Sequence, residues 1–582
     1  MSRATTSCSS GVCDPASSRQ RGRDGGRRSP ASLTHIPAPG MSARPRPDWV
    51  TRRRARPPEP VGGRRPPTSS AFSLTARCVS ARPRPDWVTR RPGGVVGFVA
   101  LFLALSSLVL LASCSPGNSS PADPFLERQR TALVPSCRGD LAVLIGVPRY
   151  VVTATLNAAD LTLTGQQTIR YVNHTGQPLR DIVLRLYPNL PQYVGGLGLD
   201  EVRLGEKVLA WSYEAEDTAA RVILPQPLAS HETLTLDMEF HAKARPIDQE
   251  YVLYGQARGL LSWPSTLPLL ATWGADGWRM DIAETHGDAV LADIALFEVR
   301  LTAPETLVVV TTGRVLTTTV ASGNRLTYHI VSGPARDFGI FAGPELRFVQ
   351  TQADETTVYS YYQPAHADGG RAALWQAAAA LRIYRQLFGP SPLAEFKIVE
   401  APLGVRGMEY PGLSLIGDGL YEPANRADLE FLVAHEVGHQ WWYNLVGSDP
   451  LLSPWQDEGL TEYNTSFYYR LLYGQARANE LKRTRWTIPT ESLVRRGRDA
   501  PIGRPVADYP AADYEAIVYA KGALFFDTIR QTIGDAGYLQ ALRAYRHDYA
   551  YRIAGPADLM RAFETASGQP LDALYQQWVR GE

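Results

Sequence analysis

Hydrophobic and polar residues alternate along much of the region from residue 139 to 348, which is the pattern of half-buried β-strands. Short runs of this kind, separated by Asn, Gly and Pro, are Tyr150–Leu156, Leu161–Gly165, Gln167–Val172, Ile182–Tyr187, Thr233–Phe240 and Leu307–Thr311. Many short strands with turn residues between them are typical of a sandwich of two sheets. We therefore predict an antiparallel β-sandwich at 139–348, with the role of a scaffold and lid and no chemistry of its own.

The pattern changes to a helical period in the C-terminal part of the chain, which we predict as a second domain at 349–582. Gly370–Phe388 is an Ala-rich amphipathic stretch that Gly389 and Pro390 stop. Two short apolar runs, Phe396–Glu400 and Leu413–Ile416, predict strands of a small sheet. Because a strand-rich part precedes a mainly helical part, the fold class is α+β.

Further along, Asn425 is placed to cap a helix that continues to residue 439. Residues 486–513 have no clear period and are rich in Arg, Pro and Asp, so we predict a long irregular segment that forms a wall of a cleft. The closing helices are predicted at Tyr514–Ile533, Gly537–Asp548 and Pro556–Ser567, with a last one starting at Pro570.

Residues 1–92 are rich in Arg, Pro, Gly and Ser, and Ser42–Arg53 recurs unchanged at Ser80–Arg91. Such a composition cannot bury enough apolar surface to offset the entropy of ordering. We interpret this segment as a disordered tail, or as translated sequence upstream of the true start, for which Val88 is a candidate. A basic arm for an anionic surface is the alternative interpretation.

The apolar run Val95–Leu111 follows Arg90 and Arg91 and is followed by Ala112, Ser113 and Cys114. Residues 93–114 resemble a bacterial lipoprotein signal peptide, in which the cysteine is lipidated and becomes the new N-terminus. An uncleaved single-span anchor is the alternative. Either interpretation predicts an extracytoplasmic protein, held at a membrane through a polar linker at 115–138.

Charge and cysteine content narrow the functional classes for the folded part. Residues 1–91 have a net charge of +14, so the remainder of a chain whose total is +2 has a net charge of −12. An acidic body argues against nucleic acid as a partner, because phosphate binding needs a basic surface. No cysteine follows Cys137, so a metal in the folded part would be held by His and carboxylate side chains.

The stretch Val433–Trp442 contains His-Glu-x-x-His on a predicted helix. Histidines four residues apart lie on one helix face, so His435 and His439 can bind one metal ion. Glu436 can take a proton from a metal-bound water. A zinc ion needs a third protein ligand, and Glu458 is a candidate if a helical hairpin brings it back. A buried pair of structural histidines is the alternative.

These residues resemble the zinc signature of the M1 family of gluzincin metallopeptidases, relatives of aminopeptidase N and leukotriene A4 hydrolase. Eighteen residues separate His439 from Glu458, which stands in Trp-x-x-Glu-Gly. The resemblance runs from about residue 145 to 582. It implies a β-sandwich followed by a thermolysin-like catalytic domain, with one Zn²⁺ bound by His435, His439 and Glu458. It also implies that Glu436 is the general base.

This sequence matches two further motifs of the family, the second of them incompletely. Tyr519 stands in Tyr-x-Lys-Gly, and the resemblance implies that its hydroxyl stabilises the oxyanion. Met408 and Glu409 match the family's Gly-x-Met-Glu-Asn, whose Glu binds the free amino group of the substrate. Here Arg406 and Tyr410 replace the Gly and the Asn, which leaves strict exopeptidase specificity open.

The sequence therefore predicts a zinc metallopeptidase that uses a Glu-activated, zinc-bound water to hydrolyse peptides, acting as an aminopeptidase. The alternatives are an endopeptidase, an epoxide-opening hydrolase, or a catalytically silent peptide-binding lipoprotein. Asp457 and Glu462 are candidates for orienting the histidines, or are simply carboxylates at a helix start. We interpret His286 as a surface residue.

Overall fold

The computed structural model describes residues 123–193, 195–247 and 253–582. The predicted tail (1–92), the predicted signal peptide (93–114) and the start of the predicted linker lie outside these ranges. Among the helices in these ranges, none is both long enough and apolar enough to cross a lipid bilayer.

The end of the predicted linker is folded. Helix α1 (Pro124–Arg130) begins at Asp123, whose carboxylate accepts a hydrogen bond from the Phe125 amide at 2.9 Å. A 3₁₀ helix follows at Pro135–Ala142. Phe125 and Cys137 are buried in an apolar cluster that includes Leu296 of the sandwich. The prediction of a polar linker is wrong from residue 123 onward, because these widely spaced apolar residues show no period in the sequence.

The strand-rich region that follows has 18 strands among its described residues. They are β1 Arg149–Asn157, β2 Thr162–Val172, β3 Leu179–Arg185, β4 Gly195–Leu204, β5 Lys207–Val208, β6 Trp211–Glu214, β7 Ala219–Leu228, β8 Thr233–Ala244, β9 Gly255–Ala257, β10 Leu260–Trp263, β11 Leu269–Leu270, β12 Trp273–Gly274, β13 Gly277–Trp278, β14 Ala295–Pro304, β15 Val308–Thr311, β16 Arg314–Ala321, β17 Arg325–Ala335 and β18 Ile340–Gly343.

Two of its sheets enclose the core of the sandwich. One has the strand order β16-β17-β14-β1-β2-β8-β4-β5 and the other β11-β3-β7-β6. In β8 every second residue is buried, among them Leu236 and Phe240, and these side chains share one apolar core with Leu184 and Val222 of the facing sheet. Neighbouring strands are antiparallel except β1 and β14, which run parallel.

The second region contains a five-stranded sheet in the order β19-β20-β21-β23-β22. Its strands are β19 Arg347–Ala353, β20 Thr356–Tyr362, β21 Glu395–Ala401, β22 Gly407–Tyr410 and β23 Leu413–Gly417. The boundary predicted after residue 348 falls inside β19. The edge strand β22 runs antiparallel to β23 and lies against the helix that carries the His-Glu-x-x-His sequence.

Helices make up the rest of this region, which confirms the α+β class. They are α2 Ala367–Phe388, α3 Arg426–Gly438, α4 Glu458–Tyr473, α5 Gln475–Leu481, α6 Ile488–Arg495, α7 Ala511–Tyr514, α8 Gly522–Tyr549, α9 Pro556–Ser567 and α10 Asp572–Tyr575. Turns of π-helix at Lys482–Thr487 and Glu515–Lys521 connect α5 to α6 and α7 to α8, and a third at Gln576–Arg580 follows α10.

Two local predictions for this region need correction. Asn425 stands at the N-cap position of α3 but accepts no hydrogen bond there, and its side-chain amide donates to the Gly419 carbonyl at 2.8 Å instead. The segment 486–513 is not irregular throughout, since α6 occupies its first third. Leu493 on α6 is buried in the main core, which stabilises the helix despite the Pro and Arg around it.

Arg336, just after β17, joins the sandwich to the helical region. Its guanidinium is buried and donates to the carbonyl oxygens of Ala292 (2.9 Å), Tyr443 (2.7 Å) and Arg552 (2.8 Å). Burial lowers the pKa of Arg336, while Asp293 opposes that effect. Because one side chain satisfies carbonyl groups from both regions, it fixes how the turn after α3 meets the sandwich.

We predict that Arg336→Met lowers the melting temperature by several degrees. Methionine keeps much of the volume, but the carbonyl groups lose their donor, and each buried polar group left unpaired costs about 1–3 kcal/mol. Differential scanning calorimetry of the purified chain measures the change.

The matched control is Arg347→Met on β19, where the side chain is exposed and has no hydrogen bond or ion pair within the described ranges. Equal melting temperatures for the two variants would contradict the role given to Arg336.

Candidate active site

Helix α3 brings the two predicted histidine ligands together. His435 lies in its last turn and His439 is the residue at its C-terminal cap. Their ring centroids are 4.8 Å apart, and the two Nε2 atoms face each other at 3.1 Å. Both side chains are at least 96 % buried, so the two nitrogens converge on a point away from bulk water.

Glu458, the first residue of α4, supplies a third donor atom. Its Oε2 lies 3.1 Å from Nε2 of His435 and 3.4 Å from Nε2 of His439. Donors at about 2.0–2.1 Å from a tetrahedral zinc ion are about 3.3 Å apart. The three separations match this value, and these are the only three His, Cys, Asp or Glu residues in the described ranges that form such a cluster.

The far side of each imidazole also has a partner. Nδ1 of His439 lies 3.0 Å from the Trp442 carbonyl oxygen, which can only accept, so Nδ1 carries the proton and Nε2 is free to bind a metal. Nδ1 of His435 lies 3.2 Å from the carboxylate of Glu462, which also accepts from the indole of Trp486. Such contacts fix the orientation of a metal-binding imidazole. Asp457 instead accepts hydrogen bonds from Ser448 and the Glu458 amide.

These neighbours shift the acid–base equilibria of the donors. Burial favours neutral His435, but the carboxylates of Glu458 and Glu462 outweigh it and raise the pKa to about 9. Burial likewise opposes ionisation of Glu458, yet His439 and His435 hold its pKa well below the usual range. A divalent cation therefore finds an ionised carboxylate and must displace protons from the imidazoles.

Glu436 lies beside the donors and is 4 % exposed. Burial, and then the charge of Glu409, raise its pKa to about 8. The backbone of β22 comes so close that a Cβ atom on Gly407 would stand 2.3 Å from Oε1 of Glu436. The absence of a side chain at residue 407 therefore leaves room for the carboxylate.

Tyr519 reaches the same point from a different helix. It lies in the π-helical turn Glu515–Lys521, a distortion often found at functional sites. Its hydroxyl donates to Oε1 of Glu458 at 2.6 Å. A Cβ on Gly459 would lie 3.1 Å from Cα of Gly522, so the two helices approach closely there. The glycines after Glu458 and after Tyr519 thus place these two side chains next to each other.

Glu409 and Met408 lie on β22, next to Gly407, and line a cleft. Gln440, next to His439, holds this strand: its carbonyl accepts from the Gly412 amide at 2.8 Å, and its amide donates to the Tyr410 carbonyl at 3.1 Å. Tyr410 lines the cleft as well. Arg406 lies outside this lining and forms an ion pair with Asp428 at 3.0 Å.

Comparison with known proteins shows which family the helical region is similar to. Residues 381–578 match the profile of the peptidase family M1 domain. This range includes the three metal donors, Glu436, Glu409 and Tyr519. The chain carries a family M1 peptidase domain. The family uses one zinc ion, and the His-His-Glu cluster provides the site for it.

Several named proteins resemble the M1 domain and its surroundings. Aminopeptidase M1 of Arabidopsis thaliana is 29 % identical over 245 residues, which are 39 % of this chain and 27 % of that protein. Aminopeptidase N of Lactococcus lactis subsp. lactis is 29 % identical over 184 residues, 29 % of this chain and 20 % of that protein. The chain therefore spans roughly a quarter of the length of these relatives.

Solved structures resemble the chain over a longer range. The M1 zinc metallopeptidase from Deinococcus radiodurans has a TM-score of 0.56 and 21 % identity, and the match covers 74 % of this chain and 93 % of that one. A mutant of it bound to a Tyr-Ser-Ala substrate has a TM-score of 0.54, 21 % identity and the same coverage. At this identity the likeness shows the fold, a sandwich followed by a helical domain.

The sequence interpretation missed a loop of the sandwich, residues 284–290, that reaches this site. Asp288 lines the cleft, and burial together with the charges of Glu409 and Glu458 raises its pKa well above the usual value. His286 is half-buried, and its ring centroid lies 5.1 Å from that of Tyr514, so it is not a surface residue. No motif marks this loop, because its proximity to the helices arises only in the fold.

We predict that Glu462→Gln lowers zinc affinity by about 10–100-fold, the range typical for losing a charged partner of a metal-binding imidazole. Glutamine can still accept from Trp486, so the change removes mainly the charge opposite His435. Competition with a chromophoric chelator measures the affinity.

Glu345→Gln is the matched control, because Glu345 is exposed on the sandwich. Zinc affinity that stays the same in the Glu462 variant would show that its carboxylate does not support His435.

Proposed function

We propose that this chain is a zinc-dependent metallopeptidase that removes N-terminal residues from peptides. The observation that carries the proposal is the convergence of His435, His439 and Glu458 on one point, with Glu436 and Tyr519 beside it. A structural histidine pair would not need a third metal donor, a buried carboxylate and a phenol at the same place.

Each side chain has a role in amide hydrolysis. When bound, zinc supplies a Lewis acid that polarises a carbonyl group and makes water more acidic. Glu436 takes a proton from the attacking water and delivers it to the leaving amine, and such transfer contributes about 10²–10⁴-fold to the rate. Tyr519 donates its hydroxyl proton in a hydrogen bond to the oxyanion that forms on the scissile carbonyl. No covalent nucleophile is required.

Glu409 favours an aminopeptidase over an endopeptidase. It is 7 % exposed, lines the cleft, and its carboxylate has no hydrogen bond or ion pair to another residue within the described ranges. A buried carboxylate without a partner is costly unless a cation arrives, and the free amino group of a peptide is such a cation. The name of the Arabidopsis relative, an aminopeptidase, and the tripeptide-bound Deinococcus structure support the same assignment.

The decisive experiment compares a peptide with a free N-terminus and the same peptide acetylated, each with and without a zinc chelator. We expect chelator-sensitive release of the first residue from the free peptide alone. Chromatography of the products measures it. Cleavage of both peptides would identify an endopeptidase, and cleavage of neither by the zinc-loaded chain would favour a peptide-binding protein.

Glu436→Gln is the matched control for this assay, because it removes the proton acceptor and keeps the shape of the side chain. We expect it to retain zinc and lose hydrolysis in the same samples. Activity equal to that of the unchanged chain would mean that a contaminant or another group performs the reaction.

We also propose that the protein is an extracytoplasmic lipoprotein anchored through Cys114, with the uncleaved span Val95–Leu111 as the alternative. The support is the order of basic, apolar and small residues before that cysteine. Cys114→Ala should abolish incorporation of a labelled fatty acid in a bacterial host, whereas Cys137→Ala, which changes a buried free cysteine, should not. Membrane retention without any label would favour the uncleaved anchor.

A further inference from the structure

The cleft lined by Met408 and Glu409 is acidic. Among the residues that line it are four carboxylates, Glu284, Asp288, Asp337 and Glu409, and its lining contains no Lys, Arg or His. The proposed amine-binding role uses only Glu409. Three further carboxylates therefore face a cavity that has no cation of its own within the described part of the chain.

Not all of these carboxylates are available to a ligand. Asp337 accepts hydrogen bonds from the Ser265 hydroxyl and from the Phe338 amide, so it is committed to the fold. Glu284 lies at the exposed rim. Asp288 is partly exposed to the cleft, and its carboxylate has no hydrogen-bond or ion-pair partner in the described ranges.

Glu409 is an independent sign that the cleft receives a cation. Its side chain is more than nine-tenths buried, lines the same cavity and has no hydrogen bond or ion pair to another residue within the described ranges. Asp288 and Glu409 interact unfavourably through their charges. Two unpaired carboxylates held near each other are relieved by a ligand with two separated positive charges, or by one cation for each.

We propose that Asp288 selects peptides whose first residue is cationic, so that the enzyme prefers N-terminal Arg or Lys. This inference rests on the proposed aminopeptidase function: Glu409 binds the α-ammonium group, and Asp288 binds the charged end of the first side chain. Leu253 and Val290 supply apolar surface for the aliphatic stem, and the ring of Tyr443 offers a face for the cation.

The geometry explains why the selecting residue comes from the sandwich. The sandwich loop at residues 284–290 and Glu409 of β22 line the same cleft, whereas the metal donors, Glu436 and Tyr519 belong to the helical region. A peptide whose α-ammonium is at Glu409 and whose first carbonyl is at the metal donors directs its first side chain toward that facing loop. The charge of the loop therefore acts on the first residue and leaves the reacting atoms alone.

The test measures kcat/KM of the purified, zinc-loaded full chain for two otherwise identical substrates that begin with Arg or with Leu. We expect the unchanged chain to favour Arg. Asp288→Asn should lower kcat/KM for the Arg substrate about tenfold, the effect of losing one close charge partner, and change the Leu value less than about threefold. Asp276→Asn is the matched control, since Asp276 is exposed in the turn between β12 and β13 and outside the cleft.

Two outcomes would overturn the inference while leaving the aminopeptidase assignment intact. One is a preference of the unchanged chain for Leu. The other is an equal loss for both substrates in Asp288→Asn, which would indicate a structural role. If neither substrate is hydrolysed, calorimetry measures the binding of argininamide and of leucinamide to the zinc-loaded Glu436→Gln variant. This measurement separates the proposed cation site from the proposed aminopeptidase activity. Tighter binding of argininamide, lost in the double variant with Asp288→Asn, would support the cation site alone, and equal binding would refute it.

Discussion

The cost of burying charge determines how the catalytic centre is built. His435, His439 and Glu458 are all nearly inaccessible to water, and their donor atoms point at one another. Such an arrangement is stable only if a cation occupies the common point and if every remaining polar atom has a partner. Trp442, Glu462 and Tyr519 supply those partners, so the surroundings of the donors follow from the same requirement as the donors themselves.

Close packing of the backbone fixes the positions of the metal donors and of the side chains that contact them. Helix α4 can approach the π-helical turn before α8 because Gly459 and Gly522 have no side chains to keep them apart. Gln440 ties the end of α3 to β22 through two hydrogen bonds. Where backbones are in direct contact, the side chains that they carry have little freedom to move. A metal site needs this, because its donor atoms must stay within a few tenths of an ångström of their positions.

The sequence predicts those features of the fold and the site that depend on residues close together in the chain, and it misses those that depend on contacts between distant residues. His435 and His439 stand four residues apart at the end of one helix, so their spacing alone predicts a shared face, and the family resemblance points to Glu458. Burial of Phe125, the pairing of Asn425 with Gly419, and α6 all depend on contacts that no local period reports. The roles of Arg336 and Asp288 depend on where the two regions meet, and this information exists only in the folded chain.

The contact between the sandwich and the helical region changes the interpretation of the sandwich. It was expected to be a scaffold and lid without chemistry, yet one of its loops forms a wall of the cleft and brings an unpaired carboxylate to it. Arg336 binds carbonyl groups on both sides of the interface, including that of Ala292, which follows the loop. In the function that we propose, the helical region carries the groups that hydrolyse the peptide bond, and the sandwich carries the loop that contacts the first side chain. Substrate choice can therefore change by substitutions in the loop at 284–290 without disturbing the buried charges on which hydrolysis depends.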